Sequence, residues 1–182
     1  NAYLTSTNPK EDFKFVTVAD FTFVVNKSIT PAMAAATSAA KIERGLVYVK
    51  QSNYGRSYEV KLQHPSMSYE IGVEFQMPSG NDFNTDAAFR DTKKIADILC
   101  FGTSSTFWDG AADDIGFRTY RTDTDANLST TQGLKNYSGI TNYFTTTIYT
   151  STLDIKPTDG NSNYTINTSD GFGGQAMYVV RD

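Results

Sequence analysis

The chain has 182 residues, 39% of them hydrophobic and 13% aromatic, a composition that favours a packed core over disorder. A formal net charge of −4 and a pI near 5.0 exclude a general attraction for nucleic-acid phosphates or anionic lipid, and no basic cluster interrupts that balance. The single cysteine, Cys100, leaves no internal disulfide to form, and no run reaches the ~18 apolar residues that a membrane span needs.

Period-2 patterning dominates from the start. In residues 13–25, Phe13, Phe15, Phe21, Phe23 and Val25 share one parity. This predicts one strand, or two broken near Ala19-Asp20, with an apolar face in a packed sheet. The Ala-rich 31–40 run reads equally as a short helix or a packed connection. Residues 46–51 and 58–62 are predicted to pair as a hairpin across the Ser52-Asn53-Tyr54-Gly55-Arg56 link, where Asn and Gly tolerate positive φ. After a turn around His64-Pro65, Tyr69, Ile71, Val73 and Phe75 alternate with Glu70, Gly72, Glu74 and Gln76, a clean amphipathic strand.

One helix is predicted over about 86–101. Thr85 or Asp86 would cap it, Ala88, Thr92, Ile95, Ala96 and Leu99 would line its inner face, and Gly102 would end it. Cys100 falls on that helix as a small buried apolar residue. Residues 102–143 are rich in Gly, Asp, Thr and Ser and read as a loop-rich β insertion or arm, with a strand at 115–121. Leu153 and Ile155 are then predicted to pair with Tyr164 and Ile166 as a second hairpin, and residues 176–180 form the last strand. The sum is an α+β domain: a mostly antiparallel sheet with one main helix packed on it. Residues 1–182 read as one domain, and a start at Asn1 with an apolar run near the end predicts that it belongs to a larger protein.

Catalytic patterns are weak. A Ser-His-Asp arrangement would need His64, which sits in a turn beside Pro65 and reads as a turn or surface residue. Glu70 and Glu74 are four residues, or ~13 Å, apart along an extended strand, too far for a glycosidase pair. Asp109, Asp113 and Asp114 beside Trp108 are the better candidates for a sugar site, either binding or weakly hydrolytic. Asp123, Asp125 and Asn127 mimic a calcium loop, but Leu128 and Leu134 occupy the positions that need Gly and Glu. Asp159, Asn161, Asn163 and Asp170 fail in the same way with Tyr164, and turn chemistry explains both stretches. Gly171, Gly173 and Gly174 are followed by no Lys-Ser/Thr and open no helix, so they mark a tight bend instead of a phosphate loop. No catalytic residue, cofactor or metal is therefore assigned.

Two blocks carry a family likeness. Thr17-Val18-Ala19-Asp20-Phe21-Thr22-Phe23-Val24-Val25-Asn26 resembles a TVADYTF-VN strand, and residues 47–60, VYVKQSNYGRSYEV, resemble a V-VKQ-NY-R-Y-V segment. A helix around 91–101 and the loop Ser169-Asp170-Gly171-Phe172-Gly173-Gly174 follow in the same order. Together these resemble the nozzle proteins (tail tubular protein B) of T7-like short-tailed bacteriophages, over about half the chain; residues 102–143 have no counterpart. The resemblance implies a structural, non-enzymatic domain in a virion tail. It further implies a ring of identical subunits, a hexamer in the full-length protein, that forms a tube for genome ejection and meets adaptor and tail-fibre proteins. No membrane anchor and no specific nucleic-acid contact are expected. Tyr54, Arg56 and Phe172, on or beside Gly-containing loops, are the expected interface residues.

Overall fold

The computed structural model describes residues 2–30, 43–81, 86–112, 114–171 and 173–181. The predicted 31–40 segment lies outside them. Contacts divide the chain into two units, residues 1–40 and 41–182.

In the first unit a short helix α1 (Pro9–Asp12) leads into β1 (Phe13–Val18) and β2 (Phe21–Asn26), an antiparallel pair closed by Ala19-Asp20. Ala19 takes φ 51, an uncommon conformation for a residue with a Cβ, and so turns the chain in two residues. That turn inverts the parity expected from the sequence. Phe15 stands opposite Val24 and Val16 opposite Phe23, so Phe15 and Phe23 point to opposite faces. Both faces are therefore apolar and both are exposed, with Phe15 at 65% and Phe23 at 59%. The expectation of a packed sheet here is not met. Asn26 is the buried anchor: its side-chain amide donates to the Tyr3 carbonyl at 2.9 Å, and its backbone N–H donates to the Tyr3 hydroxyl at 3.1 Å.

The second unit builds two antiparallel sheets. Its elements are β3 (Gly45–Val49), β4 (Ser57–Gln63), β5 (Ile71–Gln76), α2 (Thr92–Phe101), β6 (Gly116–Arg121), β7 (Asn127–Ser129), α3 (Ser138–Thr141), β8 (Phe144–Tyr149), β9 (Thr152–Pro157), β10 (Thr165–Ser169) and β11 (Met177–Arg181). A five-stranded sheet runs β10-β4-β5-β6-β7 and a four-stranded one β11-β3-β9-β8. Tyr58, Val60 and Leu62 from β4, Val73 and Phe75 from β5, and Val47, Leu153 and Ile155 from the other sheet share one core with α2, which packs on both sheets. The α+β, mainly antiparallel class expected from the sequence is what forms.

Neither predicted hairpin does. β3 pairs with β9 and β11, while β4 pairs with β5 and β10, so the 50–56 link crosses between sheets. It is pinned there: the N–H groups of Lys50 and Gln51 donate to the Ala176 carbonyl, and the Tyr58 hydroxyl donates to the Gln51 carbonyl at 3.0 Å. β9 likewise pairs with β8 across Thr150-Ser151, with Thr150 at φ 52, and not with β10. The two edges of β9 are taken by β8 and β3, which leaves none for β10.

The helix starts later than predicted. Asp91 is its N-cap, accepting the Lys93 N–H at 2.9 Å, while Ala87–Phe89 forms a separate 3-10 turn. Asp86 is buried and accepts the Gly80 N–H at 2.9 Å, and Phe89 enters the core beside Phe75. Ile95, Ala96, Ile98, Leu99 and Cys100 face inward, whereas Ala88 is exposed. Burial pushes the Cys100 thiol up to about 12. Gly102, at φ 63, ends the helix as expected, and a Cβ there would strike the Thr131 carbonyl.

Candidate functional site

The expected interface residues are dispersed in role. Tyr54 is half-buried, its ring lying against the backbone of Gly80 (a Cβ there would come within 2.8 Å) with the Arg90 guanidinium 5.6 Å from the ring centroid. Arg56 is half-buried, and its carbonyl accepts the Met77 N–H at 2.7 Å. Phe172 lies outside the described residues, as does Asp113.

The chemical candidates resolve into structural roles. His64 opens a turn, as expected, its carbonyl accepting the Met67 N–H at 2.9 Å, but it is buried and not on the surface. Its Nδ1 accepts the Ser66 N–H at 3.2 Å, which leaves the proton on Nε2 to be donated to Asp159 Oδ1 at 3.1 Å. The ring stacks on Tyr143 and meets Phe144 edge-on. The Asn161 N–H, and then His64, hold the Asp159 carboxyl below the usual range. Trp108 is partly buried and packs against the core, meeting Phe75 and Phe117 edge-to-face at 6.4 Å. Asp109 closes a turn onto the Ala111 N–H. In the calcium-like stretch Asp123 pairs with Arg121 at 2.7 Å and Asp125 with Arg118 at 2.8 Å, so both carboxylates are already engaged.

The role of Asp170 emerges only in three dimensions. Fully buried, it accepts the N–H groups of Gly174 at 3.1 Å, Ala176 at 2.5 Å and Met177 at 3.1 Å. One carboxylate thus folds the glycine-rich loop back on itself and sets the start of β11. Gly171, Gly173 and Gly174 all take left-handed φ, between 68° and 78°. The Asp-Gly and Gly-Gly pairs signal the bend in sequence. The convergence of three donors on one buried oxygen pair has no sequence signature.

The densest polar cluster lies on the outer face of the five-stranded sheet. Glu59 on β4 stands directly across from Glu74 on β5, which in turn faces Arg118 on β6. Gly72 is what lets the cluster close: Tyr120, its cross-strand partner, lies over it, and a Cβ would come within 2.5 Å of the ring. The Tyr120 hydroxyl thereby reaches past β5 to donate to Glu59. Lys61 Nζ sits 3.1 Å from Glu59, and Arg118 Nε donates to Glu74 at 2.7 Å while its guanidinium stacks 4.2 Å from the Tyr120 centroid. Glu59 is only 7% exposed, and burial raises its pKa against the opposing pull of Lys61.

Beside this cluster a cleft of about 360 Å³ opens. Glu74, Gln76, Gly116, Phe117, Arg118, Asn127 and Thr130 line it, the Phe117 ring itself lying in the core against Trp108. Among the described residues no group of three or more His, Cys, Asp or Glu side chains is placed to hold a metal.

A double-sheet β domain in one unit and a hairpin with two exposed apolar faces in the other have the makings of a structural assembly component. The family comparison specifies which kind. The model of the bacteriophage nozzle protein family matches residues 1–182, and the chain belongs to that family, a structural component of the virion tail. No curated protein matches the chain.

Proposed function

We propose that this domain helps to build a ring-shaped tail tube, in which copies of the subunit, six in the full-length protein, surround the path of the ejected genome and meet adaptor and fibre proteins. Membership of the nozzle family over the whole chain carries this reading. The two apolar faces of the β1–β2 hairpin support it, because exposed contiguous apolar surface is characteristic of chains that work inside an assembly. The acidic balance also supports it, since a wall of net charge −4 would not hold passing DNA. Tyr54, Arg56 and Phe172 are proposed as contact residues toward neighbouring subunits.

Immunogold electron microscopy of intact particles, with antibodies against this domain, tests the placement. Label confined to the tail tube just below the capsid is expected. Label at fibre tips, or on no particle, would overturn the reading. Tyr54→Ala and Arg56→Ala should lower incorporation into particles, and unchanged incorporation would remove those residues from the contact.

A further inference from the structure

We propose that the free chain dimerises by pairing β8 with β8 of a second copy, edge to edge and antiparallel. Among the described residues β7 and β10 end one sheet of the second unit, and β8 and β11 end the other. An open edge is a template for pairing with another chain, and folded proteins blunt it with short strands, bulges, charges or a cover. β7 has only three residues and an irregular register with β6. β10 and β11 lie against each other, and Arg181 at the end of β11 donates to the Ser162 carbonyl at 3.2 Å. β8 has none of these protections. Phe144-Thr145-Thr146-Thr147-Ile148-Tyr149 holds no charge and no proline, and β9 is its one strand partner among the described residues.

The ladder aims three residues of β8 at that edge. The Thr158 N–H donates to the Tyr143 carbonyl at 2.8 Å, and Pro157, which has no N–H, stands opposite Phe144. The alternation of an antiparallel pair then turns the N–H and C=O groups of Phe144, Thr146 and Ile148 away from β9. Thr146 is only 6% exposed, yet its hydroxyl has no hydrogen-bond partner among the described residues. A pocket of about 170 Å³ lies on the same side, lined by Lys135, Thr141, Phe144, Thr145 and Thr146, with no residue of β9 in its wall.

The occupant follows from the strand itself, which reads nearly the same in both directions about Thr146. A second copy laid antiparallel with Thr146 opposite Thr146 sets Phe144 against Ile148 twice and Thr145 against Thr147 twice. Each edge-facing pair then exchanges its two backbone hydrogen bonds. The two buried hydroxyls meet as a Thr–Thr cross-strand pair, so each gains the partner it lacks. Ile148 of each copy falls next to Phe144 of the other, beside the pocket. No like charges face each other across the seam, and two four-stranded sheets become one continuous sheet. The contact is two-fold, whereas a polar ring needs head-to-tail contacts, so it belongs to the subunit outside the tail and does not rest on the tail reading.

Sedimentation velocity of the full chain over a concentration series tests this. Monomer at low concentration passing to dimer at high concentration is expected. The double variant Thr145→Lys, Thr147→Lys changes two exposed side chains and sets lysine opposite lysine at both outer pairs, so its dimer should be about tenfold weaker. Thr145→Glu, Thr147→Glu should weaken the dimer in the same way. An equimolar mixture of the two variants should restore it, because Lys then faces Glu at each of those pairs, and that rescue also shows both variants to be folded. A parent chain that stays monomeric throughout the series, dimers that both variants leave intact, or a mixture that stays monomeric overturns the proposal.

Discussion

Asp170 is the clearest case of a single side chain setting a segment. Removing its carboxylate leaves the N–H groups of Gly174, Ala176 and Met177 without the acceptor that folds the loop. Asp170→Ala should therefore cost on the order of 3 kcal/mol, measured as a lower urea midpoint at an unchanged m-value. Asp170→Asn should also destabilise, because an amide that satisfies Gly174 presents its NH2 to the other two donors. A variant as stable as the parent would show that the loop needs no internal acceptor. Glu59 argues in the opposite direction. Burial raises its folded pKa above the usual 4.5, with Lys61 and Arg118 opposing the rise and Glu74 reinforcing it. The folded state then binds more protons than the unfolded one between those two pKa values. Stability from this group is present below about pH 4.5 and is lost as pH climbs through the folded pKa. Glu59→Gln keeps an acceptor for the Tyr120 hydroxyl without the charge, so it should match or exceed the parent at pH 7 and flatten the pH profile. Urea titrations at pH 4 and pH 7 measure this, and a variant that loses stability at pH 7 alone would reverse the assignment.

At the scale of elements, the sequence was legible wherever apolar alternation met a buried face. β4, β5 and β6 fall where Tyr58-Val60-Leu62, Ile71-Val73-Phe75 and the 115–121 run place them, and Gly102 ends the helix as its position implies. Partners were not legible. The 52–56 and 157–162 segments carry good hairpin residues, yet both cross between sheets, because pairing is decided by which edges the whole core leaves open. β8 escaped notice because its inward row, Phe144, Thr146, Ile148, is interrupted by a threonine that looks no different from its outward neighbours. The polar cleft was equally invisible, since Glu74, Arg118 and Asn127 come together only through the β5-β6-β7 pairing. The β1–β2 hairpin shows the converse problem, a pattern read correctly as strand but wrongly as packed. Replacing Val16 and Phe23 with Thr keeps β propensity while removing apolar surface from one face. Because both residues are exposed, the melting temperature should move by no more than a few degrees, while incorporation into virions should fall. Undiminished incorporation would show that this face contributes nothing to assembly.

At the scale of the whole molecule, the two units differ in what holds them. Every described member of the shared core cluster lies between Val47 and Met177, so the first unit supplies none of it. Two strands without a covered face are marginal in water by themselves, whereas two sheets around a helix have the layered core that an independent domain requires. A chain beginning at residue 43 should therefore fold cooperatively. The transition followed by near-ultraviolet circular dichroism should lie within about 4 °C of the parent's, the shift expected for the loss of no more than about 1 kcal/mol. Tyr58, Tyr164 and Trp108 give that signal a direct origin in the second unit, because all three are packed in or against its core. The full chain should show the same near-ultraviolet transition, with residues 1–40 adding apolar surface but little cooperativity. A truncated chain that fails to fold, or melts far below the parent, would mean that the first unit is required for the core of the second. The two would then have to be treated as one cooperative domain.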